Sequence, residues 1–270
     1  MAVIRLGDAP TPAVRPARWV ELGVPGLVAL AEAAGSADLP PPPPDLLRDD
    51  GAWSMTDLRP DIERAAGELG RRGVLVDGVP TAPIAADLRA MATAPRRLRL
   101  SLAGTEHDHL GYWWVGDDLA GGVVRDGARC RIGVFDAGRL GAELVATLPD
   151  PAAPTAERLV VPVDSLAVLA ALREPPAGLD DLLGTAEGVP EVTVRAVADW
   201  CVGVRAVLHA AVLPPVPGAP SRALIWFLHR TGWWSARVAR VEGRRVAVLE
   251  PAGRRDLVGA VAELTAGWWS

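Results

Sequence analysis

Apolar positions along the chain change period several times, and each change marks a boundary between elements. Trp19-Val20-Glu21-Leu22 has the composition of a short strand. After the turn Gly23-Val24-Pro25-Gly26, the run Leu27 to Ala34 is helix-forming and stops at Gly35. Pro60 fits the first turn of a helix whose buried positions are Ile62, Ala66 and Leu69, closed by Arg71, Arg72 and Gly73. A second helix starts near Pro83, buries Ile84, Leu88 and Met91, and stops at Pro95. The period then falls to two: Leu98, Leu100 and Leu102 alternate with Arg99 and Ser101, as on a half-buried strand. Strands at Gly111 to Val115, Gly122 to Arg125 and Arg129 to Phe135 follow. Turn signals at Gly116-Asp117-Asp118 and Asp126-Gly127 separate them, so they read as an antiparallel meander. Leu140, Leu144 and Leu148 give a closing helix, and the proline-rich stretch Pro149 to Pro154 punctuates the chain.

The rest of the sequence repeats this order. Leu166, Leu169 and Leu172 mark one helix and Leu179, Leu182 and Leu183 a shorter one. Pro190 starts a third carrying Val194, Val197 and Trp200. A strand from Val204 to Leu213 follows it, then strands at Ala223 to Leu228, Trp233 to Val241 and Arg245 to Leu249, and a helix through Leu257, Val261 and Leu264. Gly127 before Arg129 echoes Gly243 before Arg244, Gly138-Arg139-Leu140 echoes Gly253 to Leu257, and Gly111-Tyr112-Trp113-Trp114 echoes Gly232-Trp233-Trp234. The pattern predicts an extension at residues 1–16 and two similar halves, 17–150 and 151–270, each a helix–helix–strands–helix unit covering the other's sheet edge and apolar face. The run Pro40 to Pro44 reads as a stiff extended connector.

Half of the 270 residues are apolar, enough for a substantial core. With 28 basic and 33 acidic residues the net charge is −5, which supplies no broad basic field for nucleic acid. No apolar run approaches the roughly 20 residues that span a bilayer, and the first residues do not read as a signal peptide, so the expectation is an intracellular protein with no membrane insertion. Cys130 and Cys201 lie in apolar segments and read as buried reduced thiols. Lysine, asparagine and glutamine are absent, a bias of GC-rich bacterial genomes that also removes lysine as a nucleophile and the side-chain amides as oxyanion donors.

One cluster resembles a chemical site. In Glu106-His107-Asp108-His109 two histidines alternate on an extended segment and would face one way, as zinc ligands or activators of a water do. No third ligand is identifiable, so an exposed, partner-contacting loop is the favoured reading, and a metal-dependent hydrolase using His107 and His109 the alternative. His209 and His229 read as satisfied histidines at a sheet margin. Gly121-Gly122 and Gly67-x-x-Gly70 read as turns or close packing, and the paired acids Asp117-Asp118 and Asp180-Asp181 as turn or helix-start residues. No nucleophile, base and oxyanion site come together, which points to a protein that is not an enzyme and uses no cofactor. Ten tryptophans include the pairs Trp113-Trp114, Trp233-Trp234 and Trp268-Trp269. Neighbours on a strand point to opposite faces. Each of the first two pairs therefore either leaves one indole free for a partner, as in a structural or regulatory binding subunit, or is buried on both sides.

With Trp19-Val20-Glu21-Leu22 leading into a helix, Arg71-Arg72-Gly73-Val74 before Asp77-Gly78, and Gly243 to Leu264 with its Pro251-Ala252 step, the chain resembles the EspG family, cytosolic chaperones of actinobacterial type VII (ESX) secretion. The likeness runs from Trp19 to Leu264. It implies one mixed α/β (α+β) domain with quasi-twofold symmetry, a largely antiparallel central sheet and two helical bundles. It also implies a function, keeping a helical PE–PPE-type pair soluble for secretion. Partner contact would fall on the loop Gly104, Thr105, Glu106, His107, Asp108 and His109 with nearby Trp113, and on the second bundle through Leu166, Leu169, Leu179, Leu182 and Leu183. The 1–16 extension, the Leu39 to Asp45 connector and the near absence of a tail after the last helix depart from the family pattern.

Overall fold

The computed structural model describes residues 18–35, 55–162 apart from 105, 128 and 153, 191–213, and 222–266 apart from 242. Strand β1 (Arg18–Gly23) runs into helix α1 (Val24–Ala34), with Pro25 inside its first turn. Helix α2 (Met55–Arg71) precedes a small ribbon of β2 (Leu75–Val76) and β3 (Val79–Pro80), then helix α3 (Ala82–Thr93). The first meander is β4 (Arg96–Gly104), β5 (Asp108–Val115), β6 (Leu119–Asp126) and β7 (Arg129–Asp136), followed by the short helix α4 (Leu140–Val145). Strand β8 (Leu159–Pro162) and helix α5 (Glu191–Val202) lead into the second meander, β9 (Val204–Leu213), β10 (Ala223–His229), β11 (Gly232–Val241) and β12 (Arg244–Ala252). Helix α6 (Arg254–Thr265) closes the chain.

Ten strands form one sheet in the order β1-β7-β6-β5-β4-β9-β10-β11-β12-β8. Every pairing is antiparallel, and the order reads alike from both ends. Its centre is the β4–β9 seam, in register from Arg97 opposite Leu213 to Gly104 opposite Ala206. The expected mixed α/β fold with a large antiparallel sheet is therefore present.

Alternation decides what each face buries. On one face Leu98, Leu100 and Leu102 of β4 and Ala206, Leu208 and Ala210 of β9 pack beneath α4 and α6, whose Leu140, Leu144, Leu257, Val261 and Leu264 complete a core spanning the seam. On the other face α1 and α2 cover β1, β5, β6 and β7 through Leu27, Leu30, Ile62 and Leu69 against Leu110, Val123 and Ile132. Helix α5 covers the far half through Val197 and Trp200, which meet Phe227, Trp234 and Leu249.

The tryptophan pairs are buried on both faces: Trp113, Trp114, Trp233 and Trp234 are 1–3% exposed, so none forms an aromatic patch. Glycine makes room for the first pair. Trp113 lies across from Gly122 and Trp114 from Gly121, where an added Cβ would come within 2.6 Å of one indole and 2.3 Å of the other. Trp19 lies over Gly133 in the same way, with 2.4 Å to the nearest ring atom, and meets Trp113 edge-on at 5.9 Å. Close packing is thus the role of Gly121-Gly122. Gly67 and Gly70 have no such role, because they lie within α2 with nothing nearer than 3.9 Å to an added Cβ.

Several boundaries differ from the sequence reading. Helix α2 starts at Met55, and Pro60 lies inside it at the cost of one backbone hydrogen bond. Helix α4 ends at Val145, and Leu148 reaches the core from the turn after it. Strand β8 was missed, since four residues beside a proline-rich stretch carry too little periodicity. The two Trp-Trp stretches are not counterparts either: β5 adjoins β4 at the seam, whereas β11 stands one strand further out on its side. The glycine echo does coincide, Gly127 and Gly243 turning the β6–β7 and β11–β12 hairpins with φ of 57° and 81°. The 1–16 extension, Pro40 to Pro44, the two helices expected at Leu166 to Leu172 and Leu179 to Leu183, and Trp268-Trp269 lie outside the described residues.

Gly122→Val is expected to lower the unfolding free energy by about 1–3 kcal/mol or more, because Trp113 has no room to yield. Gly67→Ala, on an exposed helix surface, is expected to raise it by about 0.5–1 kcal/mol. Urea denaturation of the two variants checks both signs.

Candidate functional site

The loop between β4 and β5 sits where the two meanders meet. Gly104 ends β4 against the start of β9 so closely that a Cβ there would lie 2.0 Å from the Arg205 carbonyl oxygen and 2.7 Å from the Ala206 Cα, so only glycine fits. Its N–H donates to the His107 carbonyl at 2.9 Å, closing the loop. Glu106 is exposed and His107 partly so, while Thr105 is outside the described residues. The Glu106 carboxylate lies 3.9 Å from the Arg205 guanidinium, both largely in solvent, a weak tie across the seam.

Asp108 and His109 belong to β5 rather than to the loop. The exposed Asp108 carboxylate accepts from Arg125 Nη2 at 2.8 Å, and the Arg125 side chain is only 7% exposed, so this pairing is what permits a guanidinium at that depth. His109 is buried. Its Nε2 lies 3.2 Å from Thr147 Oγ1, and that hydroxyl donates to the Leu144 carbonyl at 2.7 Å, which leaves Nε2–H as the donor to Thr147. Burial, opposed by Asp126 and reinforced by Arg131 and His107, lowers the His109 pKa to about 4. The ring is therefore neutral near pH 7 and fastens β5 to the end of α4.

This geometry separates residues that the sequence grouped together. Gly104, Glu106, His107 and the Asp108 carboxylate lie at the solvent side, whereas His109 and Trp113 are anchors in the core. His109 turns to Thr147 instead of forming a pair of ligands with His107, and among the described residues no group of three or more histidines, cysteines and acids is placed to hold a metal ion. Leu166, Leu169, Leu179, Leu182 and Leu183 lie outside the described residues. Arg125, Thr147 and Arg205 are contributors that sequence reasoning missed. Arg125 gave one signal, a charge at an inward position of an apolar strand, whereas Arg205 is brought to the loop only by the seam register.

The remaining groups are structural. His229 accepts the Thr231 N–H at Nδ1 (3.1 Å) and stacks on Trp200 at 5.9 Å, and burial lowers its pKa. Burial pushes the Cys130 and Cys201 thiols up to about 11 and about 12, away from thiolate chemistry. An open cleft of about 450 Å3 beside β1 and α2 is lined by Glu21, Glu68, Arg72 and Arg129 among others, with no histidine, cysteine or serine. No helix among the described residues is long and apolar enough to cross a membrane.

A sequence profile described as the EspG family matches residues 24–263. The chain belongs to the EspG family. No curated protein matches it. A solved structure similar to this EspG-family chain is the Mycobacterium tuberculosis type VII secretion system chaperone EspG5 in complex with the PE25–PPE41 dimer. The likeness has 12% identity and a TM-score of 0.60, and covers 90% of this chain and 94% of that one. At that identity it shows a shared fold. The mixed α/β fold with its large antiparallel sheet is thus the part of the architecture that the two proteins share.

The depressed pKa of His109 sets a pH dependence. The unfolded chain takes up its proton near pH 6.5 and the folded chain near pH 4, so the unfolded state binds more protons between these values and stability falls as the pH drops through that window. The group's contribution is about 3 kcal/mol. His109→Gln, which keeps a donor toward Thr147, is expected to flatten the loss between pH 6.5 and 4 relative to the parent chain, measured by urea titration at each pH.

Proposed function

We propose that this EspG-family chain is a cytosolic chaperone that holds the helical end of a PE–PPE-like pair and keeps it soluble for type VII secretion. The supporting observation is the family match across residues 24–263, joined to a whole-fold likeness to a chaperone whose structure holds such a pair. In this reading the chain binds rather than catalyses, and no cofactor takes part.

The contact surface is the β4–β5 loop at Gly104 to Asp108, together with the segment containing Leu166, Leu169, Leu179, Leu182 and Leu183, whose leucines suit the apolar end of a helical pair. His109 and Trp113 act from beneath. A loop whose base is locked by Nε2–H to Thr147 and by Arg125 to Asp108 loses little freedom when a partner lands on it, and preorganisation of this kind favours affinity. Glu106 and His107 then provide the polar contacts.

Co-expression with a PE–PPE pair encoded in the same genome is expected to give a complex that stays together on size-exclusion chromatography. Glu106→Ser with His107→Ser is expected to weaken it about tenfold or more, equivalent to about 1.4 kcal/mol, while the melting temperature is unchanged. Failure of every such pair to co-migrate overturns the chaperone reading. Unaltered affinity in the double variant overturns the loop as its contact surface.

A further inference from the structure

The far end of the β11–β12 hairpin is the part of the molecule least explained by its own packing. β11 pairs with β10 from Gly232 to Ala236, and from Arg237 onward no described strand lies on its inner side. Among the described residues, β12 pairs with its outer neighbour β8 from Val246 to Leu249. Between these points the described residues form a two-stranded arm, and its register places it at the opposite end of the strands from the β4–β5 loop. In a chain of net charge −5 this arm concentrates Arg237, Arg240, Arg244 and Arg245 against one acid, Glu242, with Val238 and Val241 at 59% and 49% exposure.

One face of the arm carries Val238, Arg240 and Arg245 together, because Val238 and Arg240 are two apart on β11 and Arg245 is directly opposite Arg240. Arg237 has a carboxylate of its own, Glu250, at 3.2 Å, but no described carboxylate pairs with Arg240 or Arg245. Like charges directly opposite on a ladder destabilise it, so the free chain carries a cost here that a bridging carboxylate would remove. We propose that the arm is a second docking element, receiving an acidic segment of another protein whose carboxylates bridge Arg240 and Arg245 while an apolar side chain covers Val238. Charge-assisted hydrogen bonds from two guanidiniums to carboxylates are short and strong. The exposed Val238 gains from apolar contact, which nucleic acid offers poorly, and the net negative charge of the chain disfavours a long polyanion.

The probe is a short fluorescein-labelled peptide of glutamate with leucine at every fourth position, titrated with the full chain and followed by anisotropy. Comparison ligands are the same peptide with lysine for glutamate, single-stranded DNA, and phosphatidylglycerol vesicles. Binding to the glutamate peptide is expected to weaken about tenfold in Arg240→Ser/Arg245→Ser and to weaken in Val238→Ser, to be retained in Arg240→Lys, and to fall with added salt. The double variant is expected to melt no lower than the parent chain, and to capture a PE–PPE pair as the parent does. Equal peptide binding by parent and double variant, tighter binding of DNA or vesicles than of the peptide, or loss of PE–PPE capture in the double variant each overturns the proposal of a separate protein-docking arm.

Discussion

Pairing β4 against β9 turns two runs of five strands into one continuous sheet, and it does so at a place where the backbones almost touch. The seam puts Leu98, Leu100 and Leu102 beside Ala206, Leu208 and Ala210 on a single apolar floor that α4 and α6 roof. Residues of α4 and α6 join this floor in one core that spans the seam. The alanines on β9 and Gly104 on β4 are the small residues that let the strands meet under this roof.

The site inherits its stiffness from the seam. A loop of a few residues would ordinarily be free at its tip, yet here one side is fixed by the Gly104 approach to β9 and the other by a buried histidine and a buried arginine. The shape of the loop therefore depends on groups that never reach the surface. The polar residues deep in this region hold β5 in place, His109 through Thr147 and Arg125 through Asp108.

Much of this was legible in the sequence. Period-two alternation located β4 and β9, turn pairs such as Asp126-Gly127 located the hairpins, and leucines at helical spacing located α4 and α6. Signals that depend on partners distant in sequence were not legible. Whether Trp113 is an exposed ligand or a core residue turns on which helix covers its face, and that His109 points inward turns on Thr147 in a different element. The likeness between the two Trp-Trp stretches misled for a related reason, since local composition carries no information about distance from the seam. Four-residue β8 escaped because a strand recruited by its neighbour needs little propensity of its own.

The palindromic order leaves the described sheet with two outer strands, and a row of unpaired backbone groups on such a strand is a template for adding another chain. The described part of β8 is a template of four residues ending in proline, which has no N–H to donate. On β1, Arg72 donates to the Glu21 carbonyl at 2.8 Å and so occupies an acceptor that an incoming strand would use. With both margins of the described sheet blunted in this way, edge-to-edge addition of a second copy is disfavoured on either side.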